Sequence, residues 1–279
     1  MLNRILIIGI LTTIVACSSG ESGDFFVDHI NGYTPVKNQG GSQLCWAYAM
    51  LAAIETEHIG KGDSVNLSPA YVELMIGRDS LCPPSKRGMG QTLLNAIARY
   101  GVCTYDVVPT AESFVPRWVF FHGMNYTPKE FAHSVCFPDE YVGIGVNDDV
   151  EPYTLYEPQL PDNWEHNLLL AVPRDSLTAI ARRAVADGHG VCWEGDISEP
   201  GFSFEKGTAR LSFINGSTTD DHCMAIVGLA HDADETDYFI MKNSWGTANP
   251  YGGLMYMSAD YLRAKTIALY LPRVCVSYQ

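Results

Sequence analysis

Apolar positions Ala47, Met50, Leu51 and Ile54 recur at helical spacing, and the run continues to His58. Ser42, just ahead of it, is the expected N-cap. Before it, "YTPVKNQGG" (33–41) carries Pro35 and a glycine pair and is expected to be loop. "LSPAYVELMIG" and "GQTLLNAIARYG" predict two more helices, the second stopped by Gly101. From about 109 to 168 proline, aspartate, asparagine and aromatics alternate without a clean period. "PRDSLTAIARRAVADG" then predicts an amphipathic helix. Beyond it the pattern turns to strands. "GVCWEGDI" is one, "HCMAIVGLAHD" and "DYFIMKNSWG" form a hairpin pair around "DADET", and "GGLMYMSADYL" and "TIALYLPRV" follow. Helices first and strands second predict an α+β protein of two lobes with a cleft between them. The helical lobe is expected over about 31–168, with an insertion at about 109–168, and the strand-rich lobe over about 169–279.

Composition changes this picture at the N-terminus. "MLNRILIIGILTTIVAC" has a charge at Arg4, a short apolar core and small residues before Cys17. It predicts a bacterial signal peptide over 1–16. Ile14–Cys17 resembles a lipobox, so Cys17 is the expected lipidation site and 17–30 the expected tether, polar and flexible in "CSSGESGD". The protein is then an exported lipoprotein of the cell envelope, held to a membrane by its lipid. No later apolar run is long enough to span one.

The 279 residues are 47% hydrophobic, enough for a large core, and the formal charge is −14. No basic stripe interrupts the acidic balance, so nucleic acid is not an expected partner. The eight cysteines are widely spaced with no CxxC pair, which argues against zinc, and their pairing is open. "HDADETD" (231–237) is acidic but lacks the glycine and final glutamate of a calcium loop, so a plain hairpin loop is expected. No metal or cofactor is expected.

One cysteine is placed for chemistry. Cys45 falls in the first turn of the predicted helix, where unpaired N–H groups and the helix dipole stabilise a thiolate. A nucleophile of this kind needs a base and a group to orient the base. His222 opens the apolar strand of "DDHCMAIVG", and Asn243 ends the next one in "MKNSWGT". If the two strands pair, Asn243 can accept the ring N–H of His222, and Trp245 can cover that bond. Gln39 can donate to an oxyanion together with the Cys45 N–H.

The words "PVKNQG…CW", "DHCMAIVG" and "KNSWGT", in this order, resemble the papain-like cysteine peptidases. The resemblance covers about Tyr33 to Pro272. It implies a two-lobed papain-like fold, with a helical left lobe and a β-barrel-like right lobe. It also implies peptide or protein substrates and an acyl-enzyme on Cys45, with His222 as base, Asn243 as orienting residue and Gln39 as oxyanion donor. The 177 residues from Cys45 to His222 exceed the roughly 130–150 usual for the family, as the insertion would require. "LPDNWEHNLLLAVPRDSL", "VCWEGDISEPGF" and "DYFIMKNSWGTANPYGGLMYMS" bring the chain nearest to the bleomycin hydrolase and aminopeptidase C branch, and so to action on short peptides or N-termini.

Departures accompany the resemblance. Ser42 stands where the family has a disulfide cysteine, and "RGMG" replaces a glycine pair, with Arg87 at the first position and Gly88 at the second. Little more than the tether separates Cys17 from the catalytic segment, so an enzyme active without propeptide removal is expected. The chain stops at Gln279, so the C-terminal arm of the bleomycin hydrolase branch is expected to be short or absent. Met89, Gly90, Glu194 and Cys223 fall at the walls of the family's second specificity pocket. A carboxylate there is costly to bury without a cation. Glu194 is therefore expected either to select a basic residue or free N-terminus, or to point to solvent at the cleft rim. A silent peptide-binding relative and an acyl-transferring enzyme are the alternative functions.

Overall fold

A computed structural model describes residues 25–112, 114–137, 139–212 and 218–276. The expected signal peptide and Cys17 lie outside them. The elements run β1 (Phe25–Ile30), α1 (Cys45–Gly60), α2 (Pro69–Ile76), α3 (Gly90–Tyr100), β2 (Val119–Phe121), β3 (Met124–Tyr126) and α4 (Pro128–Val135). They continue through β4 (Tyr141–Gly145), β5 (Leu155–Tyr156), β6 (Leu169–Ala171), α5 (Arg174–Ala186), β7 (Val191–Gly195), β8 (Phe202–Ser203) and β9 (Thr208–Ala209). The chain ends in β10 (His222–Asp232), β11 (Asp237–Lys242), β12 (Leu254–Ser258), α6 (Ala259–Lys265), β13 (Thr266–Pro272) and a 3₁₀ turn.

The helices α1, α2, α3 and α4 share a core around Met50, Leu93, Ile97 and Phe131. A second core lies between the sheet and α5 and α6, around Trp193, Phe239, Met257 and Leu269. Helix α1 is buried almost all round from Trp46 to Glu57, the environment of a central helix rather than a surface one. Its two buried acids tie the lobes together. Glu55 accepts from Lys37 at 2.9 Å and from the Leu67 N–H at 2.6 Å, and lies 3.6 Å from Lys242 on β11. Glu57 accepts from the Gly190 N–H at 2.8 Å, just before β7.

Among the described residues one large sheet follows the order β5-β6-β4-β13-β7-β10-β11-β12-β9-β8, an open path. The long β10 pairs with β11 on one side. Its other side is shared, with β7 along the first half and β1 along the second. The acidic loop between β10 and β11 is a hairpin turn. Asp232 Oδ1 accepts the Asp234 and Thr236 amides, and Oδ2 accepts the Tyr238 hydroxyl.

Several boundaries differ from the sequence expectation. The tether does not reach residue 30, because Phe25–Ile30 forms β1 against β10 and Phe25 stacks on Tyr256 at 4.0 Å. Most of β1 is exposed, so it carries no alternating pattern and is held by backbone pairing. The helical lobe does not extend to 168, because β4 and β6 join the large sheet. The second half of "GGLMYMSADYL" is α6, started by Ser258, which accepts from the Tyr261 N–H. Ser42 does not cap α1. Leu44 holds that position, and Ser42 Oγ has no partner. The expected α2 and α3 form as read, capped by Ser68 and ended by Gly101 at φ +82°.

The 157–167 loop is docked on α3. Asn95 donates to Glu165 and Asn167 at 2.9 Å each, and Arg99 bridges Glu165 and Asp79. Among the described residues no helix is long and apolar enough to cross a membrane.

Candidate active site

Cys45 is the first residue of α1, half-buried, and a helix-start amide such as its own has no intrahelical acceptor. The hairpin brings the other two groups to it. His222 begins β10, Asn243 follows the end of β11, and both are buried. His222 Nε2 is 2.8 Å from Asn243 Oδ1. The ring N–H must lie on Nε2, since the asparagine oxygen only accepts. Nδ1 is then left for the Cys45 thiol, with which His222 shares the lining of one small pocket. Asn243 is itself held, its oxygen by the Ser244 N–H at 2.7 Å and its amide nitrogen against Met255 Sδ at 3.3 Å. Trp245 covers the histidine with ring centroids 4.6 Å apart, backed by Phe202 and Phe204 edges.

The Cys45 thiol is held well below its ordinary pKa. A hydrogen bond from Cys223 is the largest cause, opposed by burial and reinforced by the bond to His222 and its charge. Both effects stabilise the thiolate as half of an ion pair.

Gln39 is placed by a loop pairing. Its N–H donates to the Ser244 carbonyl at 2.7 Å, and Asn38 bridges to Trp245. Its side-chain oxygen accepts from Ser244 Oγ at 2.6 Å, and its Nε2 donates to the Ser42 carbonyl at 2.8 Å. An amide nitrogen has two protons, so one remains for an oxyanion. The role of Ser244 was missed in the sequence, although it sits inside "KNSWGT".

The pocket residues divide. Cys223 lines a small pocket at Cys45, together with Arg87, Gly88 and Asp162. Met89 is fully buried in the helical core and presents no surface to the cleft. Gly90 lies against the Tyr270 ring so closely that a Cβ would collide with it. Glu194 does not point to solvent. It is wholly buried, opposite Cys223 in the sheet, and accepts from the Gly90 N–H at 3.2 Å. Arg87 does not leave a gap where a glycine would. Its Nε donates to Asp162 at 2.8 and 3.0 Å and its Nη2 to the Asp220 carbonyl at 2.5 Å. Sequence reasoning also missed Asp220, two residues before His222.

The seven described cysteines, all but Cys17, are unpaired. No group of His, Cys, Asp or Glu among the described residues is arranged to hold a metal ion.

Comparison with known proteins agrees with this geometry. Residues 171–269 match the model of the papain family cysteine proteases. The senescence-specific cysteine protease SAG12 of Arabidopsis thaliana is 27% identical over 228 residues, 81% of this chain and 54% of that protein. The viral cathepsin of Epiphyas postvittana nucleopolyhedrovirus is 29% identical over 220 residues, 78% of this chain and 53% of that protein. The chain thus spans about half the length of the curated relatives it matches. Among solved structures, PepW of Lactobacillus rhamnosis superposes with a TM-score of 0.70 at 14% identity, covering 90% of this chain and 83% of that one. Bromelain of Ananas comosus, solved with the inhibitor E64, gives 0.53 at 20% identity over 86% and 93%. The fold is papain-like, a two-lobed α+β arrangement.

Proposed function

We propose that this protein hydrolyses peptide bonds through an acyl-enzyme on Cys45. The observation that carries this reading is the Cys45–His222–Asn243 arrangement, with the thiol sharing a pocket with a histidine whose Nε2 is held 2.8 Å from Asn243. The Cys45 thiolate attacks the substrate carbonyl, and the new oxyanion takes the Cys45 N–H and the free proton of Gln39 Nε2. His222 Nδ1 gives its proton to the leaving amine as the C–N bond breaks, leaving a thioester. Water, deprotonated by the same nitrogen, then attacks the thioester, and the acid and thiolate separate. Asn243 keeps the ring in the productive orientation throughout, the part that the aspartate plays in a serine triad.

The finer reading is action on short peptides or N-termini, as in the bleomycin hydrolase and aminopeptidase C branch, by an exported lipoprotein anchored at Cys17. The sequence words quoted above and the lipobox support it. Labelling with a thiol-reactive peptide epoxide tests the core proposal. Stoichiometric modification of Cys45, lost in Cys45→Ala, is expected; an unlabelled, inactive wild type would mean a silent relative. Replacing Cys17 by serine is expected to release the protein from membranes, and persistent attachment would exclude lipidation there.

A further inference from the structure

Two lysines and one carboxylate meet where α1 packs on the β10–β11 hairpin. Lys242 ends β11, immediately before Asn243, and is buried. Lys37 reaches in from the loop ahead of α1, with its side chain 11% exposed. Both turn to Glu55 on α1, which is wholly buried. Glu55 Oε1 accepts from Lys37 Nζ at 2.9 Å and from the Leu67 N–H at 2.6 Å. Oε2 accepts the Thr34 hydroxyl and lies 3.6 Å from Lys242 Nζ.

The charges do not balance. One carboxylate faces two ammonium groups, and a buried charge without a counter-charge is costly. Lys37 is the better served, with Glu55 at 2.9 Å, Thr34 Oγ1 at 3.5 Å and the Tyr105 ring centre at 5.5 Å. Of the three protons on Lys242 Nζ, Thr34 Oγ1 takes one at 2.7 Å, and Glu55 is a long partner for a second. At least one is left over. Burial lowers Lys242 to about 8, with Glu55 opposing and the Lys37 charge adding to the fall.

A cavity of about 10 Å³ opens beside both lysines, room for one water or one small monatomic ion. Tyr48 of α1, Cys223 of β10, Asn243 and Ser244 also line it, and among the described residues no carboxylate does. A water would fill this space without balancing the charge. A cation would meet two ammonium groups. A phosphate or an organic acid is too large.

We propose that this cavity is a binding site for a monatomic anion of chloride size, held by the ammonium groups of Lys242 and Lys37. The bound anion supplies the missing negative charge, so three buried charges become a balanced set of four. It joins α1 to the end of β11, directly behind Asn243 and Ser244. Its occupancy therefore adds to the stability of the folded chain, whether or not the protein cleaves peptides.

Two measurements on the full chain test this, with bromide and chloride as the probes. Crystals grown with sodium bromide are expected to show an anomalous peak between Lys37 and Lys242. Thermal unfolding is followed at about pH 6, where Lys242 keeps its proton. Sodium gluconate is exchanged for sodium chloride or bromide at constant ionic strength. The Tm should rise saturably, by about 3–5 °C once the halide exceeds its Kd tenfold. In Lys242→Met, which leaves Lys37 and Glu55 as a balanced pair, the halide-dependent rise should vanish. If that variant does not fold, Lys37→Met removes the other ammonium and poses the same question. A cavity holding water alone, equal Tm in gluconate and halide, or a rise that survives both substitutions overturns the site. A bromide peak without the saturable rise would mean binding at crystal concentration only, and overturns it as well.

Discussion

Ser244 Oγ donates to Gln39 Oε1 at 2.6 Å, so a residue next to Asn243, the proposed orienting residue, also aims Gln39, the proposed oxyanion donor. The same serine caps Asn243 through its amide. The two sides of the proposed step, base and oxyanion, are thereby held by one short segment of the chain.

Ser244→Ala should lower kcat by about 3- to 10-fold with little change in KM, the worth of one neutral hydrogen bond. Gln39→Ala should cost about 10²–10³ in kcat. If Ser244 acts through Gln39, the double variant is no worse than Gln39→Ala alone. Additive losses would separate the two residues.

Cys45→Ala and His222→Ala should abolish peptide hydrolysis and leave the thermal unfolding midpoint near that of wild type. Asn243→Ala should retain more activity, since it orients the base and takes no proton. Loss of activity together with unfolding would mean that these side chains serve packing instead.

The pH profile should report the Cys45 ion pair. The thiolate is the reactive form, and its pKa is lowered, so kcat/KM should persist well below the ordinary thiol range of about 8.5 and fall only as acid protonates it. Cys223→Ala removes the largest lowering contact. The acid limb should then move to higher pH. An unmoved limb would show that the Cys223 bond does not tune the thiol.

Asp220 supplies a stability test independent of substrate. Its pKa is raised to about 7, above an unfolded value near 3.9. Between those values the folded state holds the extra proton, so this group's stabilisation is fully present below about pH 4 and lost as pH rises through about 7. Asp220→Asn should therefore raise the Tm more at pH 8 than at pH 5. A gain independent of pH would show that the folded state holds no extra proton at Asp220.

Glu55→Ala should destabilise the fold by about 3–5 kcal/mol, because it leaves Lys37 and Lys242 without their buried partner. Lys242 is held at about 8, lowered by burial despite Glu55. Urea unfolding with an unchanged midpoint would show that the network adds nothing.

What the sequence determined by itself was local or carried by short words. The apolar periods of α1, α2, α3 and α5 and the hairpin of β10 and β11 are each written within about twenty residues, and they form where read. The family-like words singled out Cys45, His222, Asn243 and Gln39 as candidates, because the proposed chemistry restricts residue type at those positions whatever surrounds them. Tertiary structure decided the rest. The strand β1 has little apolar face of its own and exists because β10 has a free edge beside β7. The strand β4 was hidden in an irregular stretch because its burial comes from its neighbours β13 and β6. Ser42 had the right residue type for a cap, but the chain turns into α1 at Leu44 instead. Glu194 and Asp220 lie 26 positions apart, and no local pattern links them. Only the pairing of β7 with β10 sets them together beside Cys45, where burial changes what two ordinary carboxylates can do.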